Sequence, residues 1–135
     1  MRLLKILILE PDPYQLMALH QMLNAVGIYD VLTASSLESA KRSLALGAAI
    51  DIAICDPQMK GGEGMALIRH LAGRQEARAI ILLGRVAKAL LSDLESILQV
   101  HGIKLLGQLH TPVSAVLMRG LLDTYLQTTR RSANV

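Results

Sequence analysis

The chain has 135 residues, 52% of them hydrophobic, with three Tyr as its only aromatics and a net charge of +3. That length suits one domain whose core is packed from Leu, Ile, Val, Ala and Met, and no apolar run reaches the roughly 18 residues of a membrane span. Lys and Arg are scattered, with no basic run interleaved with aromatics, which argues against nucleic acid as a partner.

Residues 1–5 lack the long apolar stretch and small-residue cleavage site of a secretory leader, so a cytoplasmic setting is expected. Residues 5–9 read as a strand buried on both faces, closed by Glu10-Pro11-Asp12. Pro13 can open the next helix, whose inner face carries Leu16, Leu19, Leu23 and Val26 and which stops near Gly27. Residues 31–34 form a short second strand, and Ser35 or Ser36 caps a helix running through Leu46 to Gly47.

Residues 50–55 are the third strand, followed by Asp56 and a turn-rich loop to Gly62. Cys55 is the lone cysteine, which excludes an internal disulfide framework or a cysteine-based zinc site. Strand alternation turns it away from Asp56, as a buried structural thiol. A third helix covers residues 64–71, and a fourth strand, residues 79–83, is broken by Gly84. Ala87, Leu90, Leu91, Leu94, Ile97 and Leu98 trace one helix face as far as Gly102. Residues 104–109 make a fifth strand, and Pro112 opens a last helix to about Gln127. The expected domain is residues 1–127, with 128–135 a flexible tail or the start of a linker.

Five strand-like runs alternating with helical ones call for a parallel sheet with crossover helices. Such a sheet gathers the C-terminal ends of its strands along one edge, where ligands bind. Glu10-Pro11-Asp12 and Asp56 both end strands there, which points to a small acidic pocket for a divalent cation and a phosphoryl group.

Three segments carry a family resemblance: Ile6-Leu7-Ile8-Leu9-Glu10-Pro11-Asp12-Pro13, Asp51-Ile52-Ala53-Ile54-Cys55-Asp56-Pro57-Gln58-Met59 with Gly61 and Gly64, and Gly107-Gln108-Leu109-His110-Thr111-Pro112. Together, over residues 3 to about 126, the chain resembles the receiver domain of two-component response regulators. The segments around Asp56 and Gly107 look most like receivers found in front of cyclic-di-GMP phosphodiesterase (EAL) domains. The resemblance implies a doubly wound, flavodoxin-like sheet of strand order 2-1-3-4-5. It implies that Asp56 is the phosphoacceptor, and that Glu10, Asp56 and the backbone carbonyl of Gln58 would hold Mg²⁺, with Asp12 a doubtful further ligand. The implied partners are a sensor histidine kinase or phosphotransfer protein, and an effector domain.

The departures from the family pattern are as informative. Pro11 replaces the second carboxylate of the acidic pair, and Gly84 replaces the hydroxyl residue after the fourth strand. Thr111 replaces the phosphate-pairing lysine, and Gln108 stands at the aromatic switch position. Mg²⁺ is therefore expected to bind weakly or not at all, and Asp56 to be phosphorylated slowly if at all. Arg85, Lys60 and His110 lie near enough in sequence to compensate, but are expected to be solvated or turned away.

The expected function is a degenerate receiver acting mainly through protein–protein contacts; the alternative is a phosphorylation-competent receiver with a rearranged pocket. Catalysis in its own right is not expected. A phosphatase of the haloacid-dehalogenase type would place Asp, not Glu10, first in its motif, and a dinucleotide enzyme needs a glycine-rich turn after the first strand. The last helix carries apolar residues over most of its circumference, so Met118 and Tyr125 are expected to face outward. The last two helices would then form a docking or homodimer surface.

Overall fold

The structure, a computed structural model, describes residues 3–47 and 49–133. Five strands alternate with five helices: β1 (Lys5–Leu9), α1 (Pro13–Ala25), β2 (Asp30–Ala34), α2 (Leu37–Ala45), β3 (Ile50–Cys55), α3 (Glu63–Arg74), β4 (Ala77–Leu83), α4 (Lys88–Val100), β5 (Lys104–Leu109) and α5 (Ala115–Ala133). A single 3₁₀ turn, Lys60–Gly62, leads into α3. Every strand pairing is parallel, in the order β2-β1-β3-β4-β5. This is the doubly wound flavodoxin-like sheet expected from the sequence.

The central strands are nearly unbroken Ile, Leu and Ala because helices cover both faces. Their period of two splits the core. Leu7, Ala53, Cys55, Ile80 and Leu82 pack against Leu44 of α2, Leu67 and Leu71 of α3, and Leu94 and Leu98 of α4. Ile6, Ile8, Ile52, Ile54 and Ile81 face Leu19 and Leu23 of α1 and Met118, Leu122 and Tyr125 of α5. Fully burying each Ile or Leu is worth about 1.5–3 kcal/mol, so a two-sided sheet holds its strand ends firmly in register.

Local signals start the helices as the sequence requires. The Asp12 side chain accepts from the Tyr14 N–H at 3.0 Å, with Pro13 as the first helical residue. Ser36, rather than Ser35, caps α2 in a reciprocal pair with Ser39. Glu63 Oε1 also accepts from the Leu37 N–H at 3.0 Å, tying the start of α3 to the start of α2.

The last helix departs from expectation in three ways. It starts at Ala115 rather than Pro112: a loop follows the cis Thr111–Pro112 bond, and Ser114 Oγ accepts from the Leu117 N–H at 3.3 Å in N-cap fashion. It also continues to Ala133 rather than ending near Gln127. The Thr128 and Thr129 hydroxyls donate to the carbonyls of Thr124 and Tyr125 at 2.9 Å each, and Lys104 Nζ donates to Thr128 Oγ1 at 3.0 Å. Residues 134 and 135 of the expected tail lie outside the described residues.

Third, Met118 and Tyr125 face inward, with exposures of 1% and 4%. Met118, Leu122 and Tyr125 stand at i, i+4 and i+7, one narrow stripe against the sheet. The residues left outside are Val116 and Leu117. Tyr125 is further fixed by its hydroxyl, which donates to Asp51 Oδ1 at 2.7 Å. On α4 the expected inner face holds at Leu94 and Leu98, whereas Ile97 is exposed and Ala87 precedes the helix.

Candidate functional site

Asp56 follows β3 directly and is half-buried at the C-terminal edge of the sheet. Its Oδ1 accepts from the Gln58 N–H at 2.8 Å, closing the local turn that short carboxylate side chains favour. The Asp56 carbonyl accepts from the Met59 N–H at 3.2 Å. Gly64, at the start of α3, packs on that carbonyl so closely that a β-carbon would overlap it. The loop is thus drawn tight over the strand end, and glycine is the residue that permits it. Among the described residues nothing donates a hydrogen bond to Oδ2, which lies on the side of Gly84.

Glu10 shares the electrostatic neighbourhood of Asp56. Burial pushes its carboxyl above the usual range; the charges of Asp12 and Asp56 add to this, and the Asp12 N–H, donating to Oε2 at 3.1 Å, opposes it. Asp12 itself is exposed and engaged with the first turn of α1, so its carboxylate caps a helix. Pro11 between them is exposed and contributes no side-chain oxygen.

For magnesium that donor set is sparse. The ion demands near-octahedral oxygen coordination and gives up its waters reluctantly. Glu10 and Asp56 supply two carboxylates, one of them disfavouring its charged form, and the Gln58 carbonyl is the third expected ligand. No cluster of three His, Cys, Asp or Glu side chains able to hold a metal occurs among the described residues.

The other expected positions fall around the same edge. Gly84 follows β4 with φ at +92°, and its N–H donates to the Leu109 carbonyl at 2.8 Å. Thr111 is exposed, before the cis bond to Pro112. Arg85, Lys60 and His110 are exposed, and none pairs with Asp56 among the described residues. Cys55 lies on the opposite face, against the Gly64 carbonyl at 4.0 Å, and burial pushes its thiol up to about 12.

Two side chains do more than the sequence disclosed. Gln58, expected to contribute only its carbonyl, donates Nε2 to the Arg85 carbonyl at 3.0 Å and accepts at Oε1 from the Ala87 N–H at 2.7 Å. Gln108 Oε1 accepts from the Val86 N–H at 3.2 Å. Asp51 lies within β3, at the far end of the strand from Asp56. It is buried, and its carboxylate accepts from the Lys5 N–H at 3.0 Å and from Tyr125, the contacts of a structural post.

The comparisons with known proteins bear on the family and the fold. Residues 6–107 match the family model described as the response regulator receiver domain. The chain is 32% identical over 122 residues to the cyclic di-GMP phosphodiesterase RocR of Pseudomonas aeruginosa, covering 90% of this chain and 31% of that protein. It spans about a third of the length of the curated relatives it matches. Among solved structures, a response regulator from Colwellia psychrerythraea superposes with a TM-score of 0.71 at 22% identity, covering 93% of this chain and 99% of that one. The N-terminal domain of a response regulator/sensory box/GGDEF 3-domain protein from Carboxydothermus hydrogenoformans gives a TM-score of 0.74 at 18% identity, covering 96% and 98%. Matched over most of its length and folded accordingly, the chain belongs to the receiver domains of two-component response regulators.

Proposed function

We propose that Asp56 is the phosphoacceptor of this receiver, that its pocket holds Mg²⁺ weakly or not at all, and that the module signals mainly through protein contacts rather than catalysis. The observation that carries the reading is the Asp56 carboxylate itself. It stands at the C-terminal edge with Oδ1 held by the Gln58 N–H and Oδ2 without a donor among the described residues, beside Glu10. A histidine kinase or phosphotransfer protein of the cytoplasm would supply the phosphoryl group.

The slow chemistry follows from what surrounds the acceptor. Gly84 has no hydroxyl and Thr111 no ammonium to offer developing negative charge, and each such donor is worth roughly 3–4 kcal/mol in a transition state. Exposed apolar residues on both helices that flank edge strand β5, Ile97 and Val100 on α4 and Val116 and Leu117 on α5, support an effector-docking or homodimer surface there. RocR makes a cyclic-di-GMP phosphodiesterase one candidate effector.

Intact-mass spectrometry with acetyl phosphate and Mg²⁺ tests the acceptor. Slow, partial phosphorylation lost in Asp56→Asn is expected; none, or labelling that persists in the variant, would remove Asp56 from the role. Calorimetry tests the metal site. A micromolar Mg²⁺ affinity would contradict the weak pocket, and Pro11→Asp is expected to tighten binding by restoring the missing carboxylate.

A further inference from the structure

The loop between β4 and α4 has three consecutive backbone positions held by glutamine side chains from other segments. Gln58 grips the Arg85 carbonyl and the Ala87 N–H, and Gln108 grips the Val86 N–H. Ala87 is the N-cap residue of α4, and that helix has no side-chain cap of its own. In a capping box, the N-cap N–H is accepted by a side chain three residues along. Here Gln58 fills that role from outside the helix, at 2.7 Å.

The same residue reads the acceptor. Its backbone N–H donates to Asp56 Oδ1 at 2.8 Å, while its side chain holds the start of α4. Gly84 brings no hydroxyl between Asp56 and the loop, and Gln108 brings no ring that could swing; it fixes Val86 instead. We propose that Gln58 is a positioning residue that couples the Asp56 carboxylate to the N-terminus of α4, so that any change in charge or acceptor strength at Oδ1 is felt at the Ala87 amide. This rests on the phosphoacceptor reading only for the event that would drive it. The coupling itself is a property of the unmodified chain.

A double-mutant cycle decides it, read by amide hydrogen exchange at Val86 and Ala87 in the whole chain. Gln58→Ala is expected to speed exchange at Ala87 about tenfold, as loss of one amide's hydrogen bond allows. Asp56→Ala is expected to speed Ala87 in the wild-type background and to add nothing in Gln58→Ala. Gln108→Ala should speed Val86 and leave Ala87 within about twofold, which separates a specific grip from general loosening. The proposal falls if Asp56→Ala leaves Ala87 unchanged, or if its effect persists undiminished without Gln58. Acetyl phosphate adds a separate arm. Absence of phosphorylation would count against Asp56 as acceptor while the cycle still decides the coupling; a shift at Ala87 on phosphorylation that survives Gln58→Ala would overturn it.

Discussion

Gly84 meets Asp56 so closely that a β-carbon on the glycine would stand 3.3 Å from Asp56 Oδ2, and the glycine backbone has φ at +92°. The position that carries a hydroxyl in the family pattern is therefore shaped for a residue without a side chain. Gly84→Thr is expected to destabilise the fold by about 1–3 kcal/mol, because a β-branched residue is strained at positive φ. It should also fail to accelerate phosphorylation. Chemical denaturation and the acetyl phosphate reaction, run on the same variant, check both halves.

Tyr125→Phe removes a donor from a buried carboxylate and is expected to cost about 1–3 kcal/mol by denaturant midpoint. Met118→Glu should be more severe, since it places a charge at a site 1% exposed. Val116→Glu and Leu117→Glu, on the outer face, should leave stability within about 0.5 kcal/mol and report on association instead. Sedimentation compared with denaturation separates the two groups.

Glu10 gives the pocket a pH dependence. Its folded-state pKa lies above the ordinary 4.5, chiefly through burial. The stability it contributes is therefore complete below that ordinary value and is lost as pH rises through the raised one. Glu10→Gln is expected to be more stable than the wild type at pH 7, with the difference shrinking towards zero below pH 4.5. Denaturant midpoints of both proteins across that window measure it.

Cys55 should behave as an inert thiol. It is fully buried, with its pKa pushed up to about 12, so the reactive thiolate is scarce at neutral pH and unreachable in the folded chain. Thiol reagents are expected to label it only through unfolding, at a rate that falls in parallel with stabilising changes elsewhere. Rapid labelling of the native protein under non-denaturing conditions would contradict this.

The sheet was legible because its central strands are buried on both faces. That forces continuous apolar runs, and Gly, Pro and Asp mark their ends, so β1, β3 and β5 fall on the residues expected. The last helix was harder, since its apolar residues surround the axis and periodicity alone does not say which stripe meets the sheet. The buried partner Asp51 settles that choice by drawing Tyr125 inward, across 74 positions of sequence. Asp56, Glu10 and the departures at Gly84 and Thr111 were readable as residues at strand ends. The work of Gln58 and Gln108 was not. An amide side chain that binds the backbone of a distant loop leaves no pattern in its own segment, and Gln108 reads in sequence only as a missing aromatic.

Tyr125 also decides how this protein can be watched. The chain has no Trp or Phe, and of its three tyrosines Tyr14 and Tyr29 are 85% and 75% exposed while Tyr125 is enclosed and bonded to a carboxylate. The near-ultraviolet circular dichroism of the native state therefore arises almost wholly from one ring, on one face of the sheet. An optical melt in that band follows the seating of α5, whereas the far-ultraviolet signal follows all the helices. Divergence between the two curves would mark α5 as the element that leaves first.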